Sequence, residues 1–147
     1  MSRLQGMRRR DDYLVHLARV PLFAACTRKD LTLLARRAED VKVDAGTTLI
    51  SEGSGGHEFF VIVDGSANVT RNGRKIATLG PGDYFGELAL LDRAPRNATI
   101  VATSPMELVV LAQREFSGVL DEVPGLARKL LTGMARRVRE ADAKSVQ

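Results

Sequence analysis

The sequence has no tryptophan, one cysteine and two histidines in 147 residues. Each shortage excludes a class of chemistry. With Cys26 alone, no internal disulfide can form and no thiolate zinc cluster can be built. His16 and His57 lack metal-ligand spacing, so neither a metal nor a cofactor is expected. No Ser/His/Asp arrangement and no paired carboxylates can be assembled, which argues against an enzyme. The longest apolar runs are short, such as Phe59–Val63 and Leu108–Ala112, so no membrane span is expected. Arg3, Arg8, Arg9 and Arg10 make the N-terminus basic, but no apolar segment follows, as a secretory signal would require. No aromatic residues interleave with those arginines to stack on bases. The net charge is only +4 and no recognition helix is in sight, so DNA binding by this chain alone is not expected. These exclusions leave a cytoplasmic protein. Its arginine-rich, lysine-poor usage is that of a GC-rich bacterial gene.

What remains is ordinary for a globular domain: 44% hydrophobic and 27% charged residues, enough for one real core. Residues 1–10 read as a basic flexible tail and residues 11–147 as the domain. From Asp11 to about Val20, Tyr13, Leu14, Leu17 and Ala18 recur at helical spacing, and Pro21 ends that helix. Thr27 with Asp30 is a weak capping box, opening a second helix through Leu31, Leu34, Ala35 and Ala38 to about Glu39.

The period then changes. Val41–Val43, Thr47–Ser51, Glu58–Val63, Ala67–Arg71, Lys75–Leu79, Ala98–Thr103 and Glu107–Ala112 read as strands. Asp64-Gly65, Asn72-Gly73 and Gly80-Pro81-Gly82-Asp83 punctuate them, and Asn72-Gly73 is a strong hairpin turn. Strands every eight to twelve residues indicate a sandwich or barrel. Phe116, Val119 and Leu120 mark a short helix. Pro124 opens a last one, where Leu126, Leu130, Met134 and Val138 form an apolar stripe. The stripe reads as packing on the β body or as a lid, with a dimer helix as the alternative. Arg136, Arg137 and Arg139 read as a solvated face.

The segment Phe85–Thr99, FGELALLDRAPRNAT, carries the chemistry. Gly86 allows a positive φ or a close backbone approach. Leu88–Leu91 is long enough for one helical turn, whose N-terminal N–H groups can hold a phosphate. Glu87 at that turn suits a sugar hydroxyl better than an anion. Arg96 offers a planar fork to two phosphate oxygens. Pro95 stiffens the approach, and Ala94 and Ala98 leave space. An acid for a sugar, an arginine for a phosphate and a helical N-terminus describe a nucleotide site that needs no metal.

This ordered set, Phe85-Gly86-Glu87-Leu88-Ala89-Leu90 followed by Pro95-Arg96-Asn97-Ala98-Thr99, resembles the cyclic nucleotide-binding domain family. That family includes the bacterial catabolite activator and the regulatory subunits of cyclic-AMP-dependent protein kinase. Phe59–Gly65 and Pro81-Gly82-Asp83 match it as well, and the likeness runs from about Leu14 to about Val138. The resemblance implies an α+β fold: a β jelly-roll barrel flanked by N-terminal helices and a C-terminal lid helix. It implies Glu87 on the ribose 2′-hydroxyl and Arg96 on the cyclic phosphate. Gly86, Leu88, Ala89, Asn97 and Ala98 would supply the remaining ligand contacts, and Leu130, Met134 and Val138 the lid over the base.

The ligand implied is cyclic AMP, with cyclic GMP open because Asn97 matches neither preference cleanly. Met134-Ala135-Arg136-Arg137-Val138 resembles the catabolite activator's last helix, but Ala141-Asp142 replace its base-reading Thr-Ser pair. The function implied is cyclic nucleotide sensing that signals by moving the C-terminal helix to an effector protein or fused domain. Two other readings compete. One is a ligand-independent dimerisation or docking module, a homodimer through the C-terminal helix. The other is the sensor fragment of a longer DNA-binding regulator.

Overall fold

The computed structural model describes residues 14–55, 57–86 and 96–146, with side chains as far as residue 140. Residues 14–19 are helical, and Pro21–Phe23 form a single 3-10 turn with proline at its start. Helix α1 spans Arg28–Arg37. Its capping box is reciprocal: the Asp30 N–H donates to Thr27 Oγ1 and the Thr27 N–H to Asp30 Oδ2, each at 3.1 Å. Two of the helix's first N–H donors, which have no partner inside the helix, are thereby satisfied. The helix stops before the expected Glu39, because Ala38 turns extended and Glu39 opens a strand.

Among the described residues eight strands follow: β1 Glu39–Val43, β2 Thr48–Ile50, β3 Glu58–Asp64, β4 Ala67–Arg71, β5 Arg74–Leu79, β6 Tyr84–Phe85, β7 Thr99–Ala102 and β8 Met106–Ala112. Two helices complete the order, α2 Gln113–Glu122 and α3 Pro124–Val146. The β4–β5 hairpin turns at Asn72 and Gly73, with φ values of 52° and 76°. Two successive positive φ values are what a two-residue turn between twisted strands demands.

The strands form two four-stranded antiparallel sheets, ordered β1-β8-β3-β6 and β2-β7-β4-β5. The fold is therefore α+β, as expected, but the expected closed barrel is corrected to two open sheets. Closure would require every edge strand to find a second partner. Among the described residues β1, β6, β2 and β5 each pair on one side only. The two sheets are joined by side chains instead, through a cluster that includes Ile50, Phe60, Ile62, Phe85, Ile100, Leu108 and Val110.

A second cluster lies on the other face of the first sheet. There Phe59, Val61, Val109 and Leu111 meet Leu17, Phe23, Leu34, Phe116, Leu126 and Leu130 of the helical segments. Successive strand residues point to opposite faces. Phe59 and Val61 thus join the helices, while Phe60 and Ile62 join the opposite sheet. This explains why β3 is continuously apolar rather than alternating: both its faces are covered. Arg37 adds an ion pair from α1 to α2, 3.0 Å to Glu122.

Strand β6 was not anticipated from the sequence. Two residues carry no period, and Tyr84–Phe85 follow directly on the Pro-Gly-Asp turn. Pairing fixes it: Phe60 opposes Phe85 and Val61 opposes Tyr84. The Phe60 and Phe85 rings stack at 4.8 Å. The turn before it is closed by Asp83, whose carboxylate accepts from the Gly80 N–H at 2.8 Å. The result is a short, anchored strand that delivers the chain to Gly86.

Candidate functional site

Gly86 leaves β6 with φ at 96°. A Cβ at this position would lie 2.6 Å from the Glu58 carbonyl oxygen and 2.9 Å from Arg96 Nη1. Glycine is thus required twice over, by the backbone angle and by the space. The close approach has a purpose. Arg96 Nη1 donates to the Gly86 carbonyl at 2.9 Å, and Nη2 donates to the Glu58 carbonyl at 2.8 Å. One planar fork holds the end of β6 and the start of β3 together.

Arg96 is 7% exposed, and among the described residues it is the single buried charged side chain. A buried guanidinium must be hydrogen-bonded, and two carbonyl oxygens meet part of that need here. Its backbone is fixed too. The Arg96 N–H donates to Ser54 O at 2.8 Å, and the Gly53 N–H donates to Arg96 O at 2.7 Å. Arg96 therefore stands three residues before β7, its backbone paired with the loop after β2.

The adjoining rim adds two side chains that the sequence did not single out, Arg71 and Glu52. Arg71, at the end of β4, donates from Nε to the Asn97 carbonyl at 2.9 Å. Glu52 accepts from the Asn72 N–H at 3.1 Å, while its own N–H donates to Thr99 Oγ1 at 3.0 Å. Hairpin tip, loop and cassette are joined side by side. No sequence signal foretold these contacts, because most of their partners are main-chain atoms brought together by sheet pairing. Ala98 is buried, as its small size allows. Glu87, Leu88 and Ala89 lie outside the described residues, as do the apolar turn through Leu91 and Pro95.

A family model described as the cyclic nucleotide-binding domain matches residues 40–123. The chain belongs to the cyclic nucleotide-binding domain family. A cAMP-dependent protein kinase regulatory subunit of Hypocrea atroviridis is 33% identical over 140 residues, covering 95% of this chain and 30% of the relative. The chain therefore spans less than a third of that relative. The solved catabolite activator protein of Thermus thermophilus is similar with a TM-score of 0.78 at 30% identity, covering 84% of this chain and 61% of that one. A structure of Sp-2Cl-cAMPS bound to PKAR CBD2 gives 0.76 at 28% identity, covering 90% and 91%.

In this cyclic nucleotide-binding domain the stripe on α3 divides in two. Leu126 and Leu130 are buried in the helical cluster, Met134 is half-buried, and Val138 is 59% exposed. The first two candidates anchor the helix to the sheet, and the last faces solvent. Among the described residues no helix is long and apolar enough to cross a membrane, and no three His, Cys, Asp or Glu side chains gather as a metal site.

Proposed function

We propose that this chain is a cyclic-AMP-sensing module whose ligand sits on the Gly86–Ala98 cassette and whose signal leaves through α3. The observation that carries the reading is Arg96, a buried cation at a glycine-only approach, held by two carbonyls. A cation so placed can move part of its fork onto a phosphate without unfolding its surroundings. Glu87 takes the ribose hydroxyl, and the amides of Gly86, Leu88, Ala89, Asn97 and Ala98 complete the phosphate cradle. Met134 and Val138, beyond the buried Leu130, face the base when the helix closes. The domain comprises residues 11–147, preceded by a basic tail.

The choice of cyclic AMP over cyclic GMP rests on the relatives, named for cAMP-dependent kinase regulation or bound to a cAMP analogue. The first of those relatives is named as a regulatory subunit, which supports a sensor rather than an enzyme. The partner that receives the signal is an effector protein or a fused domain.

Calorimetric titration with both nucleotides tests the proposal. Cyclic AMP should bind more tightly than cyclic GMP. Arg96→Ala should weaken binding about a hundredfold, the worth of two charge-assisted hydrogen bonds. No heat with either nucleotide up to millimolar concentration, or unchanged affinity in Arg96→Ala, refutes it.

A second reading has one observation in its favour. Leu131 and Val138 are 65% and 59% exposed and stand seven residues apart on α3, the spacing of a coiled-coil seam. On that reading α3 joins two copies. Mass measurement without nucleotide decides it: a stable dimer supports it, and a monomer at all concentrations removes it.

A further inference from the structure

Tyr84 stands two residues before Gly86, and three elements meet on it. Its ring centroid lies 5.8 Å from that of Phe59 on β3. The Arg137 guanidinium of α3 sits 4.7 Å over the ring centroid, and its Nη2 donates to the Tyr84 carbonyl at 3.1 Å. One turn earlier on α3, Gly133 passes so close to the Tyr84 hydroxyl that a Cβ there would collide with it. Glycine is a poor choice inside a helix, and this approach supplies its reason. Gly133 and Arg137 are four residues apart and share one helix face.

The position of this contact along α3 matters. Apolar burial holds the helix only as far as Leu130, and Leu131 and Val138 beyond it are largely exposed. The second half of α3 therefore meets the first sheet on a polar and aromatic contact, not on a packed core. That contact is made with β6, the strand that leads into Gly86, whose carbonyl Arg96 grips. Helix and cassette are separated by two peptide units.

We infer that Tyr84 is a positioning residue: through Gly133 and Arg137 it makes the docking of α3 and the geometry of Gly86 one equilibrium. The inference rests on the cyclic nucleotide reading of the same site and names the residues by which helix and ligand influence each other. Nucleotide favours the docked helix, so loosening the contact lowers apparent affinity in proportion to the docked fraction. The coupling is reciprocal: bound nucleotide tightens α3.

The test uses the full chain and three variants. Arg137→Ala should weaken cyclic AMP binding about three- to tenfold, below the ceiling set by an exposed cation–π contact and one hydrogen bond. It should also speed amide exchange in the nucleotide-free protein both along residues 131–140 and at residues 84–86. Arg137→Lys should recover part of both effects, because an ammonium can still sit over the ring. Gly133→Ala should resemble Arg137→Ala even though alanine favours the helix. Arg137→Ala that leaves residues 84–86 exchanging as in the wild type, whatever α3 does, overturns the inference. So does faster exchange there with unchanged affinity. If the wild type takes up no nucleotide, the proposed function fails, and the exchange measurement alone decides the coupling.

Discussion

Gly86→Ala is the sharpest perturbation of the site, because the structure separates its costs. Alanine at a φ of 96° carries a strain of roughly 1–2 kcal/mol. The new Cβ also meets the Glu58 carbonyl at 2.6 Å, a backbone atom held in β3, and Arg96 Nη1 at 2.9 Å. To make room the guanidinium must leave the Gly86 carbonyl, and a charge-assisted bond of this kind is worth about 1.5–3 kcal/mol. The sum is about 2.5–5 kcal/mol, which most domains survive. Gly46→Ala is the internal control. Gly46 has a φ of 90° but nothing within 4 Å of the added carbon. It should cost the strain alone, about 1–2 kcal/mol. The gap of about 2 kcal/mol corresponds to a melting difference of roughly 4–8 °C for a chain this long. Urea and thermal unfolding of both variants measure it, and titration of Gly86→Ala should show nucleotide affinity falling with the displaced Arg96. If Gly86→Ala is as mild as Gly46→Ala, or keeps full affinity, the close approach is not what orients the arginine.

Thr27→Ala removes one half of the reciprocal cap on α1 and should cost about 1 kcal/mol in chemical denaturation. Asparagine at that position should restore most of the loss. The Cys26 thiol is pushed up, first by burial, then by the nearby Asp30 carboxylate, with Lys129 opposing. A raised value in the folded state means that the folded chain keeps a proton the unfolded chain releases. Stability linked to this group is complete below the unfolded thiol value and declines as pH rises through the folded one. Folded protein at pH 8 should alkylate more slowly than the unfolded chain, and Cys26→Ser should flatten the alkaline loss of stability. Alkylation at the rate of the unfolded chain contradicts the burial.

Local chemistry was legible along the chain. Thr27 and Asp30 announced a cap, Asn72-Gly73 a hairpin, Pro124 a helix start and Gly86 a strained approach, since each depends on a residue's own backbone preference. The family was legible for the same reason, its motif's residue types being few and ordered. Three features needed the tertiary structure. β6 is two residues long and exists only because Phe60 and Val61 offer it an edge. The sheets stay open because closure is a matter of edge pairing, on which strand periodicity is silent. The apolar stripe of α3 looked uniform, yet only Leu126 and Leu130 find a core, because the first sheet's hydrophobic face does not reach Val138. The sequence alone determined that an arginine and a glycine belong to one ordered family motif. Only the folded chain decided that Arg96 is buried there against the carbonyls of Gly86 and Glu58, atoms that every residue carries and no sequence can distinguish.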